Sequence, residues 1–259
     1  MEGRQAVREL LIAGRRRVRD LWLVEDADDA PILGDILELA AETRVRVRRV
    51  SDAALMAEAR TEAPQGVLAH AEPLPETDLD DLLTSGAAGK GFPFLLCLDG
   101  ITDPGNLGAL LRSADGAGVS GVVIPRHRAA HVSPTVAKAG AGAIEHLALT
   151  LVGGLPAALA TIRDHGIRVI GLDSAGETSL FDLDLADEPV ALVLGAEGRG
   201  LGRLVAERCE QLVAIPLRGA LPSLNVASAG ALACFEVARR RTGPALPGRG
   251  KGAEGPERP

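Results

Sequence analysis

The chain opens on a helical pattern. Val7, Leu10 and Leu11 fall on one face of a helix predicted over 3–13, and Gly14 closes it. After Arg15-Arg16-Arg17-Val18-Arg19, the run Leu21-Trp22-Leu23-Val24 reads as a short buried strand. Leu33, Ile36, Leu37 and Ala40 predict an inward helical face over 32–41. The pattern then switches to strict alternation over 43–50. It predicts a strand with valines on one face and Arg44, Arg46 and Arg48 on the other. Pro73, Pro75, an acidic run ending at Asp81 and the small-residue run 85–91 predict a connector, with at most one helical turn over 78–83.

Beyond it, Val/Leu/Ile-rich runs alternate with helical patterns. Strands are predicted at 94–98, 121–124, 148–151, 167–172, 190–194 and 212–215. Helices are predicted at 107–116, 135–143, 155–164, 201–209 and 226–240. Such strands, separated by helices, indicate an α/β domain with a mostly parallel sheet covered on both faces. The predicted organisation is a small α/β domain over 1–72, a linker over 73–92, a second α/β domain over 93–241 and a disordered Pro- and Gly-rich tail over 242–259.

Composition narrows the function classes. The 259 residues are 46% apolar and 24% charged, which fits a soluble globular protein of one or two domains. The longest apolar candidate, 220–238, is broken by Pro222, Ser223, Asn225, Gly230 and Glu236, short of the ~18 residues of a membrane span. Glu2, Arg4, Arg8 and Glu9 precede any apolar stretch, so no signal peptide is expected. Cys97, Cys209 and Cys234 form no CxxC pair, which argues against a zinc or disulfide framework and for a reducing, cytoplasmic location. His127, His131, His146 and His165 lack metal-ligand spacing, and no metal is expected; His70 reads as a buried strand-end residue. A net charge of −7 argues against indiscriminate coating of nucleic acid. With aromatics at 2%, any RNA contact must rest on arginine, backbone and shape. Two arginine tetrads, at 15, 16, 17 and 19 and at 44, 46, 48 and 49, form either a phosphate-facing patch or a solvated surface.

Three loops stand at predicted strand ends, where α/β sheets carry ligand sites. The first, Asp99-Gly100-Ile101-Thr102-Asp103-Pro104-Gly105-Asn106, turns at Pro104-Gly105 and offers Asn106 as the cap of the helix carrying Arg112. Arg112 shares a face with Gly108 and Gly116, whose small size allows close approach. In the second loop, strand 190–194 runs into Gly195-Ala196-Glu197-Gly198-Arg199-Gly200, and glycines let a ligand touch the main chain. The spacing is GxxGxG with no ribose-binding acid and no Walker lysine, so dinucleotide and P-loop readings are excluded. In the third, Ile215-Pro216 leads through a Pro- and Gly-rich loop to Ser223 and Asn225. These cap the last helix or, with its free N–H groups, receive a polar ligand.

In order and spacing, residues 99–108 with Arg112, residues 194–201, and Ile215-Pro216 with Ser223-Leu224-Asn225-Val226 resemble the motifs of the SpoU group of SPOUT RNA methyltransferases. Gly3-Arg4-Gln5-Ala6-Val7 and Gln65-Gly66-Val67 resemble the L30e-like substrate-binding domain of its ribosomal-RNA branch. The resemblance covers nearly all of the chain except the linker and the tail. It implies S-adenosylmethionine-dependent 2′-O-methylation of a ribose in structured RNA, expected at a guanosine of large-subunit (23S) ribosomal RNA. A tRNA or resistance-type rRNA methyltransferase and a non-catalytic ribosome assembly factor are the alternatives. It also implies an L30e-like domain at 1–72, a SPOUT domain with a deep trefoil knot at 93–241 and a homodimer, while the apolar runs and histidine spacing themselves lead to an expectation of neither membrane nor metal. Asn106, Arg112, Glu197, Ser223 and Asn225 match the family's polar active-site positions, and Gly195, Ile215 and Leu224 its donor contacts. Arg15, Arg16, Arg17, Arg44, Arg46 and Arg48 are the expected RNA-facing residues. A guanidinium stays protonated at any ordinary pH, so Arg112 is expected to anchor a phosphate beside the ribose rather than to act as a base. One departure stands out: Ala227 occupies the position where the ribosomal branch usually has a serine, and Ser228 lies one place on, about 100° around the helix.

Overall fold

The computed structural model describes residues 1–85, 92–127, 129–130, 132–185 and 188–242; the run at 86–91, His131 and the tail beyond 242 lie outside the described residues. Helix α1 (Arg4–Ala13) turns Ala6, Val7, Leu10 and Leu11 inward and ends on Gly14, whose left-handed backbone lets its N–H bond the Leu10 carbonyl. Strand β1 (Val18–Val24) pairs in parallel with β2 (Arg46–Val50) and antiparallel with β3 (Val67–Ala71), giving the order β2-β1-β3. Helix α2 (Pro31–Glu42) starts on a proline, whose missing N–H costs nothing in a first turn. With α1 it covers one sheet face and buries Leu21, Leu23, Leu33, Ile36, Val67 and Ala69 together. Helix α3 (Asp52–Glu58), capped by the Ser51 hydroxyl, was not apparent from the hydrophobic pattern; its single buried residue, Leu55, is too little to set a period.

The arginine strand is shorter than its alternation predicts. Arg44 has φ of 57° just beyond α2, so the ladder begins only at Arg46. His70 is half-exposed rather than buried, with Nδ1 2.7 Å from Asp20 Oδ1.

The larger sheet has seven parallel strands in the order β6-β5-β4-β9-β7-β10-β8. These are β4 (Phe94–Asp99), β5 (Gly121–Pro125), β6 (Ala148–Val152), β7 (Arg168–Leu172), β8 (Thr178–Ser179), β9 (Val190–Gly195) and β10 (Gln211–Ala214). Phe94 to Leu98 and Val190 to Leu194 are buried without interruption, because helices cover both faces of the central strands. Alternate residues feed two cores. Leu96 and Leu98 pack with residues of α5 (Pro104–Gly116), α6 (Pro134–Ala139) and α9 (Val226–Thr242). Leu95 and Cys97 pack with those of α4 (Leu79–Ser85), α7 (Leu155–Asp164) and α8 (Arg203–Ala206). The expected connector therefore contributes a helix to the second core through Leu82 and Leu83. The three thiols are free; burial pushes those of Cys209 and Cys234 up to about 12 and that of Cys97 higher still.

The domains meet where α1 lies against residues 142–147. Glu145 is fully buried, and its carboxylate accepts from both Arg16 Nε (3.1 Å) and Nη2. Arg16 Nη1 also donates to the Glu72 carbonyl at 2.9 Å, and Arg15 Nη1 donates to the carbonyls of Glu145 (3.2 Å) and Leu147 (2.5 Å). His146 Nε2 lies 2.9 Å from Glu9 Oε2. Breaking a buried pair from one side strands the other charge. Glu145→Ala is accordingly expected to lower stability by roughly 3 kcal/mol, read as a lower urea midpoint, whereas an unchanged midpoint would show the pair to be dispensable.

Candidate functional site

The carboxyl ends of β4, β7, β9 and β10 lie together at one end of the sheet, and a cavity of about 700 Å³ opens there. Its walls are the loops after β9 and β10, with Leu172, Asp173 and Ser174 from the end of β7. Gly195, Ile215, Leu224, Glu197, Ser223 and Asn225 all line it. The residue type at Gly195 follows from the packing: Ala196 bridges Gly200, and a Cβ on Gly195 would run into the Gly200 carbonyl group. Only glycine lets the loop fold back this tightly and leaves main chain on the cavity wall.

Three side chains tie the loops to one another. Asn225 Nδ2 donates to Asn106 Oδ1 at 2.9 Å, and Asn106 Nδ2 donates to Glu197 Oε2 at 3.2 Å. Asn225 Oδ1 accepts from the N–H of Ala227 at 2.8 Å and of Ser228 at 3.4 Å, which makes Asn225 the cap of α9. Position 227 thus contributes its N–H here, while Ser228 stands exposed on the helix. Asn106 is not the cap of α5. Pro104 starts that helix earlier than expected, and Asp103 Oδ1 caps it by accepting from the Asn106 N–H at 2.6 Å. This frees the Asn106 amide for Glu197 and Asn225.

Arg112 is exposed on α5 and lines neither this cavity nor its neighbour. The room beside it at Gly108 is taken by the protein itself, since a Cβ there would lie 2.8 Å from the Gly140 nitrogen. Of the arginines, Arg15 and Arg16 spend their donors on the domain interface, and Arg48 pairs with Asp20 at 3.0 Å. Arg17, Arg44 and Arg46 are exposed. Asp173 escaped sequence reasoning. Its signal was the same as for the other loops, a polar residue at the end of an apolar strand, but no glycine run drew attention to it. Its N–H donates to the Val213 carbonyl at 2.9 Å, which fixes the β7 end beside β10. With Glu197 it gives the cavity two carboxylates, a lining suited to a cationic ligand.

Comparison with known proteins bears on this geometry. Residues 93–235 match the SpoU rRNA Methylase family, and residues 1–77 match the family described as RNA 2′-O ribose methyltransferase substrate binding. The chain is 40% identical over 243 residues to the 23S rRNA (guanosine-2′-O-)-methyltransferase RlmB of Pseudomonas aeruginosa, covering 93% of this chain and 96% of the relative. It is 37% identical over 245 residues to the protein of the same name in Shewanella oneidensis, covering 92% and 96%. Among solved structures, the SpoU methyltransferase AviRb from Streptomyces viridochromogenes, in complex with AdoMet, aligns with a TM-score of 0.77 at 26% identity, covering 93% of this chain and 89% of that one.

Asn225→Ala removes the acceptor for two α9 N–H groups and the bond to Asn106. It is expected to cost about 1 kcal/mol of stability in denaturant unfolding, and a cost near zero would mean that water replaces the cap.

Proposed function

This chain belongs to the SpoU family of S-adenosylmethionine-dependent RNA 2′-O-ribose methyltransferases, and we propose that its target is a guanosine of large-subunit (23S) ribosomal RNA. The observation that carries the reading is one cavity walled by the glycine loop and by the loop leading to Asn225, in a chain alike over nearly its whole length to rRNA guanosine methyltransferases.

The cavity suits the methyl donor. Its volume of about 700 Å³ lies in the range of small-molecule sites, and Asp173 and Glu197 offset a sulfonium's positive charge. S-adenosylmethionine, when bound, supplies an already activated methyl group. The protein's part is then to position both reactants and to help the hydroxyl lose its proton. In this reading the Gly195 main chain, Ile215 and Leu224 hold the donor. Asn106 and Asn225, locked to one another, orient the ribose side of the site, with Glu197 and Ser223 at its edge. Arg112 remains charged and, from outside the cavity wall, serves as an anchor for an RNA phosphate beside the ribose. Exposed Arg17, Arg44 and Arg46, with Arg48, carry RNA backbone along the substrate-binding domain, while Arg15 and Arg16 support it from the interface.

Two further properties belong to the proposal. The strand order supports a knotted chain, because β9 enters between β4 and β7 and β10 between β7 and β8. A homodimer is supported by α9, whose outer stripe of Ser228, Leu232, Phe235 and Arg239 leaves Leu232 45% and Phe235 51% exposed. Sedimentation at twice the chain mass is expected, and a monomer at micromolar concentration would contradict it.

Mapping ribose methylation in total RNA from a deletion strain tests the substrate. The expected result is the loss of one 2′-O-methylguanosine from large-subunit rRNA with tRNA unchanged. An intact rRNA map beside a lost tRNA mark would overturn it.

A further inference from the structure

Behind the glycine loop lies a second cavity, of about 540 Å³, at the carboxyl ends of β4, β5, β6 and β9. We propose that it receives the base of the target nucleotide and that Asp99 and Arg199 select guanine there, an inference that rests on the reading of the target as a guanosine.

Ala196 and Gly200 line both cavities, so the wall between them is the bridged turn that Gly195 permits. A nucleotide whose base enters the second cavity therefore brings its ribose to the edge of the donor cavity. Methyl transfer needs the 2′-oxygen within about 3–3.5 Å of the methyl carbon, so the base stays behind this wall while the ribose reaches past its edge into the donor cavity. A base inside a helix could not reach in. The nucleotide must be unpaired or turned out of its stack, which leaves the whole Watson–Crick edge open to be read.

The cavity's polar groups complement that edge in guanine. Asp99 Oδ2 accepts from the Gly202 N–H at 2.7 Å, which fixes the carboxylate and leaves Oδ1 free to accept. Guanine presents N1–H and the 2-amino group, both donors, to such an oxygen. Its O6 and N7 are acceptors for an arginine, the commonest specific contact to this base. Arg199 is exposed at the cavity and has no hydrogen-bond or ion-pair partner among the described residues, so its guanidinium is available. Adenine would turn its unprotonated N1 toward the Asp99 carboxylate and its amino group toward Arg199, pairing like with like at both positions. His127 adds a flat ring at the same cavity, in a chain with few aromatic side chains on which a base could stack.

The test uses an RNA fragment spanning the mapped target, made with guanosine, with inosine (which lacks the 2-amino group) or with adenosine at the methylated position. For the unaltered enzyme, kcat/KM is expected to be about tenfold lower on inosine and lower again on adenosine. Asp99→Asn keeps an oxygen for the Gly202 N–H and is expected to shrink the inosine penalty to within about twofold, with S-adenosylmethionine affinity by calorimetry unchanged. Arg199→Ala, at an exposed position that cannot unfold the core, is expected to erode the preference for guanosine over adenosine. Equal rates on guanosine and inosine with the unaltered enzyme, or variants that keep its ratios, would overturn the base pocket. Failure of the unaltered enzyme to methylate the guanosine fragment at all would instead overturn the substrate reading.

Discussion

Strand β9 is the constraint on which the rest of the molecule depends. It lies mid-sheet, paired with β4 along Phe94 to Asp99 and with β7 along Arg168 to Leu172, and every side chain from Val190 to Leu194 is buried. A strand held on both edges and both faces cannot slide, because a shift of one residue would turn each side chain into the wrong core. Its carboxyl end is therefore delivered to one fixed place. Gly195 then lets the chain fold flat against Gly200, and this single turn separates the two cavities.

Polar bonds finish what the sheet begins. The loop after β4 is remote in sequence from those after β9 and β10, 91 residues before Glu197 and 119 before Asn225, and Asn106 joins all three by accepting from Asn225 and donating to Glu197. Each asparagine is itself fixed by a helix start, Asn106 through the Asp103 cap on its N–H and Asn225 through the N–H groups it caps. Preorganisation of this kind lets a site act on a donor that is already activated, since the remaining task is alignment. The buried Arg16–Glu145 pair extends the same rigidity to the substrate-binding domain.

Much of this was legible from the residues in order. Apolar runs such as Phe94 to Leu98 announce strands buried on both faces, and the glycine, asparagine and serine motifs marked the loops that line the cavity. Strand order was not legible, because periodicity records which face a residue uses and not which strand lies beside it. The two-residue β8 is too short to show any period. Asn106 looked like a cap because Pro104 hid how early α5 begins. The arginine clusters concealed two different fates, since nothing local distinguishes Arg16, which meets a carboxylate 129 residues away, from Arg17, which stays exposed. Asp173 belongs to the cavity only because β7 lies beside β10, a fact of pairing that its own neighbours in sequence do not contain.

The central claim is that the turns after β9 and β10 jointly hold the methyl donor. Amide hydrogen exchange with and without S-adenosylmethionine tests it most directly. Slowed exchange is expected together in residues 195–200 and 215–225, with the three-stranded domain unaffected. Protection of only one of these segments, or of neither at saturating donor, would contradict the account.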